Sequence, residues 1–197
     1  MHPAAFVLLL AAAVAGPAFA VPAAAQDSAQ SITRDGVTFP RQVDVDGHQL
    51  VLNGTAVRKK FIVKVYVAGL YLPSLQSDAG QILGADEPRR LRMQFVHDVD
   101  KEKMCNAWDE ALEHNTPDAS QELKGRFQTL CSYMEDVKKG EAFVFTYLPG
   151  KGTTVEVRGS AKGTIEGKDF ADALFKAWIG PKPGPGEGFK KQLLGLS

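Results

Sequence analysis

LNGTAVRKKFIVKVYVAGLYLP, residues 52–73, is the stretch on which the reading of the chain turns. It opens on a glycine turn at Asn53-Gly54, carries Arg58, Lys59 and Lys60, and runs into a β-forming segment from residue 60 to 72. Along that segment Phe61, Val63, Val65, Val67, Gly69 and Tyr71 share one face. Lys60, Ile62, Lys64, Tyr66, Ala68 and Leu70 share the other, the alternation of a strand packed on one side. Pro73 ends it. An arginine at the mouth of an apolar strand and a phenol inside it admit two explanations. One is a rim charge beside a tyrosine that packs in a sheet, since basic residues are common edge devices. The other is a polar pair at the end of an apolar cleft, placed to hold an acidic or carbonyl-bearing ligand.

Around this stretch the chain alternates between two periods. Upstream, Asp46-Gly47 is a hairpin turn between strands at Val43–Val45 and Gln49–Leu52. Downstream, a helical turn at Ala79–Leu83 precedes an alternating strand from Arg90 to Val96. Residues 101–114 and 117–133 read as two helices. Met104, Trp108, Ala111 and Leu112 form the stripe of one, and Leu123, Phe127 and Leu130 that of the other. Thr116 is the expected N-cap of the second, with Pro117 in its first position. A three-stranded meander follows at Ala142–Leu148, Thr153–Arg158 and Lys162–Ile165, with a turn at Gly159-Ser160. Residues 168–178 form an amphipathic helix that Gly180 and Pro181 stop. PKPGPGEG is a stiff connector to a short helical tail with Phe189, Leu193 and Leu194. Strands, helices, strands, helix imply an α+β layout: an antiparallel sheet with helices gathered on one face.

Composition narrows the function. The formal net charge is +0, and the first 25 residues hold no Lys, Arg, Asp or Glu, so removing them leaves the chain neutral. A neutral chain has no electrostatic footprint for nucleic acid or an anionic membrane. The apolar run from Phe6 to Ala15 is too short for a bilayer span, which needs about 20 residues. Followed by Ala18 and Ala20, then Ala23 and Ala25, it reads as a secretory leader over residues 1–25, cleaved after Ala20 or Ala25. Residues 26–35 are expected to be a flexible segment, and residues 36–197 one domain. The protein is thus expected to be exported, periplasmic or secreted. Cys105 and Cys131 are symmetric about residue 118, the turn of the expected helical hairpin. A disulfide and two separate buried thiols both fit that pattern.

Common catalytic signatures are missing. Gly150-Lys151-Gly152-Thr153 lies between two strands and is better explained as a hairpin turn than as a phosphate loop. His48, His97 and His114 lack ligand spacing, and Asp44, Asp46 and His48 are accounted for by turn chemistry. Neither a metal nor a cofactor is expected.

The quoted stretch, LPGKGTTVEVRGSAKGTIEGKDFADALFKAWIG and the terminal FKKQLLGLS together resemble the bacterial exported branch of the chalcone isomerase-like superfamily, over roughly residues 36–195. The resemblance implies an open-faced β-sandwich: a long antiparallel sheet, a layer of helices and a ligand cleft between them. That superfamily holds plant chalcone isomerases and non-catalytic fatty-acid-binding proteins whose cleft takes a carboxylate on an arginine and a tyrosine. By resemblance, Arg58 in NGTAVR matches the arginine. VKVYVAGLYL places Tyr66 where the isomerases have a threonine, as in the fatty-acid-binding branch. The isomerase's positioning tyrosine falls on Val99, and its helical asparagine corresponds to Asn106. The resemblance therefore favours a binder of a fatty acid or other small apolar acid through Arg58 and Tyr66. A chalcone isomerase-like enzyme using Arg58, Tyr66 and Asn106 is the alternative, and an envelope protein-interaction module a second one. One condition is geometric. On a single straight strand Arg58 and Tyr66 would stand about 26 Å apart at roughly 3.3 Å per residue. Sharing a ligand requires the chain to turn near Lys59–Phe61.

Overall fold

The computed structural model describes residues 30–196; the expected leader and both of its cleavage points lie outside the described residues. Nine strands and five helices follow. They are β1 (Ser31–Arg34), β2 (Val37–Pro40), β3 (Gln42–Val45), β4 (His48–Lys60), β5 (Val63–Leu72), α1 (Ala79–Gly84), β6 (Arg89–Phe95), α2 (Lys101–Asn115) and α3 (Gln121–Tyr133). Then come β7 (Ala142–Leu148), β8 (Gly152–Val157), β9 (Ser160–Ile165), α4 (Lys168–Ile179) and α5 (Glu187–Leu193). Strands β3 to β9 form one seven-stranded antiparallel sheet in sequence order, and β1–β2 a separate hairpin. The α+β layout and the open-faced sandwich with a helical layer are the observed architecture.

The opening stretch folds differently from its expected single strand. Asn53-Gly54 is no turn. It lies inside the 13-residue β4, where the register with β5 shifts between Leu52 and Gly54. Asn53 is the extra residue of that bulge, and its side chain is put to use. Its Nδ2 donates to the carbonyls of Gln76 and Leu193 at 3.0 and 2.9 Å, and its Oδ1 accepts from the Gln76 amide at 2.8 Å. The tail helix α5 is thereby fastened to β4. A Cβ on Gly54 would sit 2.3 Å from the Gln192 carbonyl oxygen, so glycine is required by close approach. The chain reverses instead at Phe61-Ile62, between the paired Lys60 and Val63.

From Tyr66 to Leu72, β5 is buried on both faces, so the expected apolar and mixed faces are both interior there. Helices cover one face. On the other, β2 lays Phe39 across the sheet in a small cluster with Leu50, Leu52, Val67 and Tyr71. The Phe39 ring occupies the place a Cβ of Gly69 would need, 2.7 Å away. This hairpin also corrects the flexible segment expected at residues 26–35: Ser31–Arg34 is a strand paired with β2. Arg34 ties it down, donating to the Thr55 carbonyl and to Gln192, each at 2.8 Å.

The helical layer is built around α4, whose buried residues include Phe170, Leu174, Phe175 and Trp178. Fully buried Arg89 at the start of β6 forms an ion pair with Asp172 of α4 and sits over the rings of Tyr147 and Phe175 at 4.9 and 5.0 Å. The second long helix starts later than the expected residue 117. Thr116 caps the end of α2, its amide bonding to the Leu112 carbonyl, and Ser120 is the N-cap of α3 through its hydroxyl to the Leu123 amide. Pro117 disfavours helical backbone at the residue before it, so it ends one helix rather than opening the next. Cys105 of α2 and Cys131 of α3 form a disulfide with their Cα atoms 5.2 Å apart.

Two stability outcomes follow. Gly54→Ala forces the α5 backbone off β4 and should cost about 2 kcal/mol or more by urea unfolding, whereas Gly188→Ala, exposed within α5 with open space around it, should be neutral or stabilising by up to about 1 kcal/mol. Replacing Cys105 and Cys131 together by serine releases a loop of 26-residue separation, for which chain entropy gives about 3.5 kcal/mol. An unchanged denaturation midpoint under reducing conditions would contradict the bridge.

Candidate functional site

The β4–β5 turn meets the geometric condition set by the sequence. Arg58 and Tyr66 are direct cross-strand partners in the antiparallel register, so both side chains emerge on the same face of the sheet. The register then shifts between Arg58 and Lys59, with Val65 as the unpaired residue on β5. One extra residue reverses the alternation beyond it. Tyr66, Val65 and Val63 therefore all reach one cavity, while Lys64 turns to the opposite side and pairs with Asp35.

That cavity has a volume of about 680 Å³ and lies between the sheet and the helical layer. It is within the ~300–1,000 Å³ range of small-molecule sites. Its apolar wall comes from Val63, Val65, Met93, Met104, Trp108 and Trp178. Lys60 and Phe61 stand at the hairpin end, and Lys182 to Pro185 of the Pro-rich connector form another side. Asn115 holds that connector: its Nδ2 donates to the Lys182 carbonyl at 2.9 Å and its Oδ1 accepts from the Lys182 amide at 2.8 Å.

The polar pair differs in character from the wall. Tyr66 is 7% exposed, with Phe95 and Phe189 edge-on to its ring. Its phenol oxygen accepts from Trp178 Nε1 at 3.2 Å, which leaves its own proton available to donate. Burial pushes the Tyr66 phenol up to about 12, against smaller downward pulls from the Trp178 hydrogen bond and the Arg58 charge. The phenol is therefore a neutral donor at any physiological pH. Half-buried Arg58 donates from Nη1 to the carbonyls of Lys59 at 3.0 Å and Pro185 at 3.3 Å. Among the described residues no carboxylate lies within 4.0 Å of its guanidinium.

The other positions carried by resemblance fall unevenly. Val99 lines the cavity and bridges to Val137. Asn106 does not: it is exposed on α2, and the cavity-facing residue on that turn is Ala107. The stripe of α2 that meets the cavity runs through Lys103, Ala107, Glu110 and His114, one position off the apolar stripe of its core. Sequence periodicity located the core stripe and so passed over His114. His97, just past β6, was likewise scattered among polar residues with no pattern to mark it. Trp178 is legible as helix core, and its second task as the donor to Tyr66 is a long-range contact with no local signal. Among the described residues no three His, Cys, Asp or Glu side chains gather as a metal site.

A search of proteins with curated descriptions finds no match. Among solved structures, a fatty-acid binding protein of Arabidopsis thaliana superposes with a TM-score of 0.68 at 17% identity, covering 83% of this chain and 95% of that one. At that identity the likeness speaks for the fold. The model of the chalcone isomerase-like family matches residues 31–195, from the first strand of the small hairpin to the second residue after α5, and with nearly the whole described chain inside that match the protein belongs to the chalcone isomerase-like family.

Proposed function

We propose that the protein is an exported, non-catalytic binder of a fatty acid or another small apolar acid, held between the sheet and the helices. The observation that carries this reading is the pairing of Arg58 with Tyr66 at an apolar cavity, the one a cation with no carboxylate partner among the described residues, the other a buried neutral phenol. A carboxylate accepts from both: the guanidinium supplies charge and the phenol a directed hydrogen bond. The valines, methionines and indoles of the wall suit an alkyl chain. The Arabidopsis protein of the same fold is named for binding fatty acids, which supports the ligand class. Catalysis by transition-state selectivity needs donors arrayed around the reacting atom, and exposed Asn106 and apolar Val99 offer none. Export is supported by the leader pattern of residues 1–25 and by the disulfide, which oxidising compartments permit.

Calorimetric titration with palmitate, its primary amide and its alcohol tests the head-group assignment. Palmitate binds tightest, and Arg58→Leu removes that preference at a cost of about 2 kcal/mol, a charge-assisted hydrogen bond's worth. If all three probes bind alike, or none binds, the reading fails. Tyr66→Phe weakens palmitate by about 1 kcal/mol. Because the phenol ionises only near 12, the ratio of parent to Tyr66→Phe affinity stays constant from pH 7 to about 10. An ordinary phenol would be half ionised at the upper limit, and the ratio would fall there. For export, N-terminal sequencing of the mature chain is expected to begin at Val21 or Gln26, and an intact Met1 terminus on protein recovered outside the cytoplasm counts against it.

A further inference from the structure

The β4–β5 turn leaves large apolar side chains in solvent. Phe61 is 92% exposed, Ile62 96% and Val63 41%, and only Leu75 and Leu196 share that condition among the described residues. Three of the five are consecutive, so this is one apolar tip. Phe61 also holds φ +55 as the first residue of a two-residue turn, a left-handed position that glycine or asparagine ordinarily fills. The fold thus keeps a bulky aromatic where the backbone disfavours it and where it packs against almost nothing. Cations crowd the same place. Lys59 and Lys60 precede the tip and make no ion pair among the described residues, and half-buried Arg58 stands behind them. Lys64 follows it, already paired with Asp35. Phe61 and Lys60 line the cavity as well, so the tip stands at the cavity's edge. On that same lining Lys182 adds a cation. Asp98 is paired with Lys138 and Lys103 with Asp100, which leaves Glu110 on α2 as the lining carboxylate without an ion pair among the described residues.

We propose that this hairpin tip docks on an anionic lipid surface, Phe61 and Ile62 entering the interface while Lys59 and Lys60 meet the headgroups. Protruding apolar side chains with lysines beside them are the composition of interfacial anchors, in which long basic side chains keep their charge at headgroup level. The neutral net charge of the chain does not oppose this, because a surface is felt only within about one Debye length and the cations are gathered at the tip. A flat or concave apolar face would fit a folded partner better than two side chains projecting from a turn. Docking there sets the cavity against the bilayer, so an apolar acid can pass between them without crossing water; that last consequence rests on the binding reading above.

The test uses Phe61→Trp in the full chain, where the native Trp108 and Trp178 are buried. Vesicles of brominated phosphatidylcholine and phosphatidylglycerol in equal proportion should quench the new indole. Brominated phosphatidylcholine alone should not, and added salt should reverse the quenching. Adding Lys59→Gln and Ile62→Ser, neither of which lines the cavity, should raise the lipid concentration for half-maximal quenching roughly fiftyfold, about fivefold from the charge and tenfold from the side chain. Relative to Phe61→Trp alone, these two additions should leave palmitate affinity in solution unchanged. No quenching by anionic vesicles, or quenching that these two substitutions leave alone, overturns the proposal. So does a concentration-dependent dimer that Ile62→Ser dissolves, which would give the tip to a second copy. Quenching in a protein that fails to bind palmitate supports the lipid-docking tip and removes only the ligand reading.

Discussion

One unpaired residue organises the site. Val65 is the insertion that breaks the β4–β5 register just below Arg58 and Tyr66. In an unbroken ladder Lys64 would share Tyr66's face and bring a lysine into the apolar wall. Because the side-chain period of a strand is two, a single extra residue exchanges the faces below it. Val63 and Val65 then line the cavity and Lys64 leaves for Asp35 on the far side. The bulge therefore sets the chemistry of the cleft: a polar pair at one level and an apolar wall beneath it.

The sequence carried the element order well and the long-range economy poorly. The Asp46-Gly47 turn, the meander and α4 are local patterns, and they stand where periodicity and turn residues put them, apart from a turn at Arg158-Gly159 one residue earlier than expected. What misled was chemistry with two meanings. Asn53-Gly54 looks like a turn because asparagine and glycine tolerate such backbones. In the fold the asparagine pins α5 and the glycine admits the backbone of Gln192. The true reversal, Phe61-Ile62, has no turn residue at all, so no local rule could mark it. The pairing of Arg58 with Tyr66 was expected on family likeness and depended on a bend that only the hairpin supplies. Asn106 was assigned by likeness too, and a shift of one residue on a helix, about 100°, is enough to carry a side chain out of a cleft.

The tail of the chain is part of the cleft's construction. Phe189 of α5 packs edge-on to the Tyr66 ring, and Pro185 accepts from Arg58. Both contacts depend on α5 lying against β4, which Asn53 and Gly54 permit. A bulge at the middle of β4 thus sets the position of groups that touch the end of β4. The connector before α5 is also held by Asn115 of α2, and Lys190 of α5 itself donates to the Gly180 carbonyl at the end of α4 at 2.9 Å. The phenol is held by Trp178 from the helical layer and the guanidinium by the connector, so each member of the pair is oriented by a different element.

Two arginines of this sheet show what the open end of the fold is suited to hold. Arg89 is fully buried, and the fold answers its charge: Asp172 pairs with one terminal nitrogen, the Ile82 carbonyl accepts from the other at 3.0 Å, and two aromatic faces enclose it, while its Nε has no acceptor among the described residues. A guanidinium removed from water needs such compensation, because its desolvation costs several kcal/mol. Arg58 is partly withdrawn from water and among the described residues donates to two carbonyls, which neutralise no charge. Its half-buried position leaves it open to screening by solvent. When an alkyl chain fills the apolar wall that screening is lost, and the guanidinium then requires an anion. A ligand bearing its own carboxylate supplies one at the same moment, and a neutral ligand of equal shape does not. On the binding reading proposed for this cavity, selectivity for an acid would come from what the fold withholds from Arg58 and gives to Arg89.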